Sequence, residues 1–477
     1  MGSLWGSKKT DRPPSRAEED NMENDEESGA PEHNTRSQPT RRHREPDERT
    51  RLLQPSEEGY LSPDDPAVSP YNLWAMMILS LIISVILLVD MIIILSVARL
   101  RLEEGWIGIA SVIWATLMSL WNILSNRTVR WGKREEEERL TGRAETRKTL
   151  REWCAVFTAT FIMAIMVIIT ILLTATLSLR ARDATLLPPG ERIFVDGDQY
   201  QVHFACVGNV TYNDDGSRRP TIILEAGEDP VEESLEPFVY DAWMNGTIDR
   251  YCYWDRPGYA WSDNAPSSHS AGMSADALSE ALAVAGERGP WILVSAGLGS
   301  IHSRIFSSRH GRDIKGLLMI DPLHEDLLYK VGSPGRGFAL WGQGILSPLG
   351  LDRLPGALFK GRSREDRVYG KSAYQGGKFI KAKLQENLVA LSLTKNEILG
   401  ARTIQRRKVP LVVVSSGVEV RKSQEWESKQ EELTKLTRPL LAWDAVDKAK
   451  HQVWKTLEGR QTIEKRLGEL YDYVTKG

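Results

Sequence analysis

Three apolar runs, Leu73–Ala98, Trp106–Ser125 and Trp153–Leu179, constrain this chain more than anything else in it. Each is long enough for a helix to cross roughly 30 Å of hydrocarbon, and a helix satisfies its own backbone hydrogen bonds there. The expected arrangement is three transmembrane helices within residues 71–182, with the lipid bilayer as the first partner. A purely water-soluble fold is excluded. Asp90 is the one formal charge inside the runs. It reads as part of a proton or ion path or, more simply, as a helix-packing hydrogen bond, since the other runs hold no basic partner. Transport through three helices with one acid is disfavoured for the same reason.

The loops set the expected orientation. Residues 126–151 carry nine Lys/Arg, against Arg99 and Arg101 in the turn between the first two runs, so the longer loop is expected in the cytosol. The amino terminus then shares that side, and residues 183–477 face a lumen or the exterior. Asn209-Val210-Thr211 and Asn245-Gly246-Thr247 in that portion are glycosylation sequons. Cys206 and Cys252 are able to bridge in an oxidising compartment, two buried reduced thiols being the plain alternative.

Residues 1–70 hold sixteen Asp/Glu, ten Lys/Arg and nine Pro with almost no aliphatic periodicity, and are expected to be a disordered cytosolic tail. Met1–Gly6 lacks the apolar core of a cleavable signal, and Gly6 stands where a myristoylation motif wants Ser or Thr. Glu48-Arg49-Thr50-Arg51-Leu52-Leu53 resembles an acidic dileucine sorting signal, which implies sorting adaptors as partners and a vacuolar or other endomembrane destination. The net charge of −3 gives no global basic field, so nucleic acid is not an expected partner. Cys154, Cys206 and Cys252 are too few and too scattered for a four-ligand zinc site. No metal and no cofactor is expected.

From Gly190 onward, short apolar runs alternate with amphipathic stretches, the order of a parallel sheet flanked by helices. Strands are expected at Thr221–Leu224, Arg250–Trp254, Trp291–Val294, Gly316–Ile320 and Val409–Val414. Residues 183–477 thus read as an α/β domain.

The segment Tyr253-Trp254-Asp255-Arg256-Pro257-Gly258-Tyr259-Ala260-Trp261-Ser262-Asp263 resembles the YDRPGYGWSD signature of α/β-hydrolases, and Leu318–Asp326 resembles that family's LVDPxHED segment. The resemblance covers about Gly190 to Gly477 and implies a mostly parallel sheet with a helical lid at about 327–396. The simpler reading of that stretch is a surface excursion without a gating role. Three spans before such a domain also resemble the layout of fungal membrane proteins, some labelled mitochondrial, which makes a mitochondrial membrane the alternative location.

Hydrolases of this kind carry their nucleophile in G-x-S-x-G, on a tight strand-to-helix turn with small neighbours. The chain has no such motif, and alignment on Pro290–Val294 places Gly297 of Ser295-Ala296-Gly297-Leu298-Gly299-Ser300 at the nucleophile position. Glycine fits the strained backbone there but offers no oxygen to attack a carbonyl. The resemblance implies His451 as the base, Ala226 and Gly227 with Leu298 as oxyanion donors, and either Glu419 or Asp321 as the acid, Glu419 being preferred. Each acid has the simpler reading of a sheet-end carboxylate, and His451 that of a satisfied imidazole. Ser295 and Ser300 are the substitute nucleophiles to weigh, against the simpler readings of packing residue and helix-start cap. His302 and His310 are expected to pack or face solvent. The expected function is a catalytically inactive hydrolase-like domain that binds a small apolar ligand or a protein partner, or serves structurally. The rival is a membrane-tethered serine hydrolase acting on lipid-like esters through Ser295 or Ser300.

Overall fold

The structure, a computed structural model, describes residues 70–141, 150–266 and 268–476. The tail with Glu48, Leu52 and Leu53 lies outside the described residues. Three long helices come first: α1 (Pro70–Ser96), α2 (Ala98–Thr141) and α3 (Leu150–Asp183). The stretches Met76–Ser96, Ala98–Ser125 and Phe157–Asp183 are long and apolar enough to cross a membrane. They pack through Ile83, Leu87 and Ile94 of α1, Val112 of α2, and Met163, Met166 and Leu173 of α3. Large apolar side chains such as Trp114, Phe161 and Ile171 face outward. The Asp90 carboxylate accepts a hydrogen bond from Thr174 Oγ1 at 2.8 Å, which ties α1 to α3. Gly105, at φ +62°, breaks α2 just before its apolar run, a bend that glycine accommodates without a Cβ clash.

The α/β domain is built on one eight-stranded sheet. Its strands are β1 (Glu191–Val195), β2 (Tyr200–Val207), β3 (Thr221–Glu225), β4 (Tyr251–Trp254), β5 (Trp291–Ala296), β6 (Ile314–Ile320), β7 (Leu411–Ser416) and β8 (Leu440–Val446). The order is β1-β2-β4-β3-β5-β6-β7-β8. β1 and β2 pair antiparallel, as do β2 and β4, and every pair from β4 to β8 is parallel. The five strands expected from sequence are β3 to β7. Helices on both faces bury their two sides alike, which is why they read as unbroken apolar runs. The structure adds β1, β2 and β8. β1 and β8 lie at the sheet edges and mix exposed with buried positions, so no such run marks them. This is an α/β-hydrolase-like fold.

Helices α4 (Glu236–Met244), α5 (Ala271–Val284), α6 (Gly299–Arg309), α11 (Gln424–Thr434) and α12 (Leu457–Lys476) cover the sheet. Between β6 and β7 the chain leaves it and forms α7 (Pro334–Leu346), α8 (Arg353–Phe359), α9 (Gly377–Val389) and α10 (Lys395–Ile404), with shorter turns between. These helices begin inside the expected 327–396 stretch, at Pro334, and end past it, at Ile404.

The insertion is fastened to the membrane-length helices. Ile107 of α2 packs with Leu340 of α7 and with Ile380 and Leu384 of α9. Asp183, at the end of α3, accepts from Arg367 Nη2 at 2.7 Å and Nε at 2.9 Å, and from Arg353 at 3.4 Å. Lys381 Nζ donates to Leu102 O at 2.8 Å. Buried ion pairs of this kind fix geometry more than they add stability, because desolvation offsets most of the Coulomb gain.

Candidate functional site

β5 ends at Ala296, the chain turns at Gly297 with φ +48°, and α6 starts at Gly299. The turn is tied to its neighbours: Gly297 N donates to Ile320 O at 3.0 Å, and Gly297 O accepts from Leu323 N at 3.0 Å. A Cβ on Gly299 would run into the carbonyl oxygens of Ala226 and Glu225, so this flank admits glycine alone without backbone movement. The strand-to-helix elbow expected from sequence is therefore built, with Gly297 at its apex.

His451 lies over that apex. A Cβ built on Gly297 would stand 2.9 Å from His451 Nε2 and 3.1 Å from its Cε1. On the other side of the ring, Nδ1 meets Asp321 Oδ2 at 2.6 Å. Asp321 is fully buried, and its Oδ1 also accepts from Ser416 N at 3.0 Å and Trp426 Nε1 at 3.1 Å. With Nδ1–H directed at the carboxylate, Nε2 is the nitrogen that faces Gly297. Burial disfavours the imidazolium, but the hydrogen bond and charge of Asp321, helped by Glu228 and Asp229, outweigh it and hold His451 above its ordinary pKa.

The preference for Glu419 is corrected by this geometry. Glu419 sits in the helical turn after β7, where its backbone N–H donates to the capping Ser416 hydroxyl, and it is Asp321 that holds the imidazole. Spacing could not choose between them, because both follow adjacent parallel strands, β6 and β7. The indole of Trp426, unnoticed in the sequence, completes the carboxylate's donor set.

Ala226 and Gly227 come beside the apex, the Cα of Gly227 lying 4.0 Å from the position of a Gly297 Cβ. Both their carbonyl oxygens accept from the buried guanidinium of Arg256. Because C=O and N–H of one peptide unit point in opposite directions, this turns the Gly227 N–H away from Arg256. Leu298 is the first residue after the apex and supplies the second oxyanion candidate. Arg256 belongs to the Asp255-Arg256-Pro257 signature, a signal available in the sequence but not assigned to the loop. It also bonds Glu225 at 3.0 Å and Glu386 at 3.2 Å. Burial raises the Glu225 carboxyl to about 7, although Arg256 and the Trp254 indole pull the other way. The next two loop residues anchor it outward. Glu228 pairs with Arg336 of α7 at 2.9 Å and with Lys383 of α9 at 3.5 Å, while Asp229 accepts from Gln452.

The substitute nucleophiles are placed otherwise. Ser300 is buried in the first turn of α6, its hydroxyl donating to Gly297 O at 2.7 Å. Ser295 is buried within β5, and its hydroxyl lacks a hydrogen-bond partner among the described residues. His302 is buried, and His310 Nε2 meets the Ser279 hydroxyl at 2.8 Å. Cys206 and Cys252 oppose one another on β2 and β4 and form a disulfide. Asn209 and Asn245 are exposed. Among the described residues, the groups spaced for metal ligation are Cys206–Cys252–Glu287, His203–Glu232–Asp255 and His324–Asp326–Glu432. None includes His451. The first is closed by the disulfide, and in the second His203 Nδ1 is 2.8 Å from Asp255.

Taken together, the sheet order, the elbow and the Asp321–His451 pair define an α/β-hydrolase-like domain, here attached to three membrane-length helices. The chain belongs to the family of an uncharacterized protein of Schizosaccharomyces pombe, with 32% identity over 419 residues that cover 82% of this chain and 77% of that protein. A family profile described as a region of unknown function (DUF2417) matches residues 75–206. An uncharacterized vacuolar membrane protein of Saccharomyces cerevisiae is 26% identical over 389 residues, covering 70% of this chain and 60% of that relative. Among solved structures, an enol-lactonase from Burkholderia xenovorans LB400 is 12% identical, covering 59% of this chain and 99% of that chain at a TM-score of 0.42. The Cif epoxide hydrolase from Acinetobacter nosocomialis is 15% identical, covering 63% and 95% at a TM-score of 0.45.

Proposed function

We propose that this chain is a three-span endomembrane protein whose hydrolase-like domain has lost nucleophilic catalysis and serves as a binding or structural module. One observation carries the reading: at the elbow apex, facing His451 Nε2, stands Gly297. The base has no hydroxyl to deprotonate, and a side chain at position 297 would fit only once the tip of the imidazole had shifted. The oxyanion loop and the Asp321–His451 pair remain assembled, a geometry that supports binding of a carbonyl or carboxylate without turnover.

The vacuolar membrane relative favours an endomembrane. The nine Lys/Arg of residues 126–151 favour a cytosolic loop and a lumenal domain. The Cys206–Cys252 disulfide and the exposed Asn209 and Asn245 agree with that side. A glycosidase-sensitive mass shift, lost in the Asn209→Gln/Asn245→Gln variant, tests the orientation; an unchanged mass leaves the lumenal placement without its sugars and argues for the opposite side.

A fluorophosphonate probe on the purified full-length protein tests inactivity. The wild type is expected to stay unlabelled, and Gly297→Ser to gain labelling that Gly297→Ser/His451→Ala loses. The unpartnered Ser295 hydroxyl is the one feature that favours the rival serine hydrolase on lipid-like esters. Wild-type labelling abolished by Ser295→Ala or Ser300→Ala would establish that rival and end the inactive reading.

A further inference from the structure

A cavity of about 640 Å³ opens where the ends of α1 and α3 meet β1, the Gly258–Trp261 turn and the lid. Its lining shares no residue with the Gly297–His451 site. Two kinds of residue line it. Ile93 of α1, Val97 just after that helix and Leu177 of α3 contribute apolar surface continuous with the membrane-length helices, extended by Leu186, Leu187 and Phe379. The lining also carries Arg99, Arg180, Arg192, Arg353, Arg367 and Lys378, against only Asp90, Glu103 and Asp183. Even counting Glu104 and Asp263, the partners of Arg180 and Arg192, cations remain in excess.

The hydrogen-bond inventory of the lining is one-sided. Buried donors without an acceptor are the Nε atoms of Arg180, Arg192 and Arg353 and the indole Nε1 of Trp261. Among the described residues, no lining residue has a buried side-chain acceptor left without a donor. Arg180 is 7% exposed, so its free Nε–H is well removed from bulk water. These four donors sit behind the lining, shielded from solvent, and with the excess of cations they favour an acceptor-rich, negatively charged occupant. Lys378 adds to this: its ammonium donates to Ala260 O, and burial pulls its pKa down to about 8. A neighbouring anion would relieve that desolvation.

We propose that this cavity binds the anionic head group of a membrane lipid, with its acyl chains lying along Ile93, Val97 and Leu177. A free phosphate would satisfy the donors but leave the apolar wall wet. A zwitterionic lipid would bring its own cation beside an existing excess. An anionic amphiphile meets both kinds of lining at once, and the position at the span ends gives it a direct route from the bilayer. The bound lipid would join α1 and α3 to the lid that rests on the oxyanion loop. The site is separate from the elbow, so its failure leaves the reading of Gly297 untouched, and the reverse also holds.

The test uses the full-length protein in nanodiscs of equal parts phosphatidic acid and phosphatidylcholine. Native mass spectrometry reads the ratio of the two lipids retained, and inorganic phosphate is supplied separately as a head-group control. The wild type is expected to retain phosphatidic acid over phosphatidylcholine by about tenfold or more. Lys378→Met/Arg353→Met is expected to lose that preference. Leu177→Trp, which fills the apolar wall and removes no charge, is expected to lower retention of phosphatidic acid, and it carries the test if the double variant does not fold. Equal retention of both lipids by the wild type, or an undiminished preference in the variants, would overturn the proposal. So would competition by millimolar inorganic phosphate as effective as that by added lipid.

Discussion

His451 Nε2 stands 2.9 Å from the point where a Cβ on Gly297 would project. Real side chains do not keep so short a contact, so a residue other than glycine here would require the tip of the imidazole to shift. The opposite ring nitrogen is held by buried Asp321 at 2.6 Å, which limits how far the ring can retreat. The titration of His451 follows from this clamp.

His451 should titrate above the ordinary histidine value, because the Asp321 carboxylate stabilises the imidazolium more than burial penalises it. The sign is that of a raised folded-state pKa. The stabilisation is fully present below the unfolded value of about 6.5 and is lost as pH rises through the higher folded value. Asp321→Asn removes the charge and leaves the burial, so the His451 resonance should titrate lower by NMR. An unchanged titration would mean that the contact does not set the proton's affinity.

At the elbow, Gly299→Ala should destabilise the domain by about 1–3 kcal/mol or more, since the new methyl meets backbone oxygens that cannot rotate aside. Gly400→Ala in α10 is the contrast. Nothing lies within 4 Å of its added Cβ, and replacing a helical glycine should stabilise by roughly 0.5–1 kcal/mol. Chemical denaturation of the two variants should shift in opposite directions.

Arg367→Met should loosen the lid from α3. Arg367 and Asp183 are both about 5% exposed, and the substitution leaves a buried carboxylate with Arg353 at 3.4 Å as its remaining partner. Removing one member of a buried pair costs about 3–5 kcal/mol, and the retained Arg353 should keep the loss toward the lower end. Faster hydrogen exchange in α8 and in residues 364–368 is the expected readout. Unchanged exchange there would show that the apolar contacts of Ile107 hold the lid by themselves.

Cys206→Ser/Cys252→Ser should lower the thermal midpoint, because the bridge closes a 46-residue separation in the chain. A loop of that length corresponds to about 4 kcal/mol in the chain-entropy description, an upper figure because reduced chains retain structure. The two residues are already paired in register across β2 and β4, so the sheet order should persist without the bond. Scrambled strand pairing in the variant would give the disulfide a larger role than this.

The sequence by itself determined the membrane-length helices, the strands β3 to β7 and the absence of a serine at the elbow, since each is written in consecutive residues. Apolar length decides a bilayer span, two-sided burial decides an unbroken strand run, and the neighbours of Gly297 identify its place in the turn. Only the tertiary structure decided that Asp321 rather than Glu419 holds His451, because parallel strands bring both acids to the same sheet end and the choice lies in a few ångströms of side-chain reach. The edge strands were equally hidden, their half-exposed faces leaving mixed residues. So were the bonds of Arg256 to the Ala226–Gly227 loop and the fastening of the lid to α2 and α3. Those contacts join residues up to 279 positions apart, as Leu102 and Lys381 are, and no local pattern can encode a pairing that exists only after the chain has closed on itself.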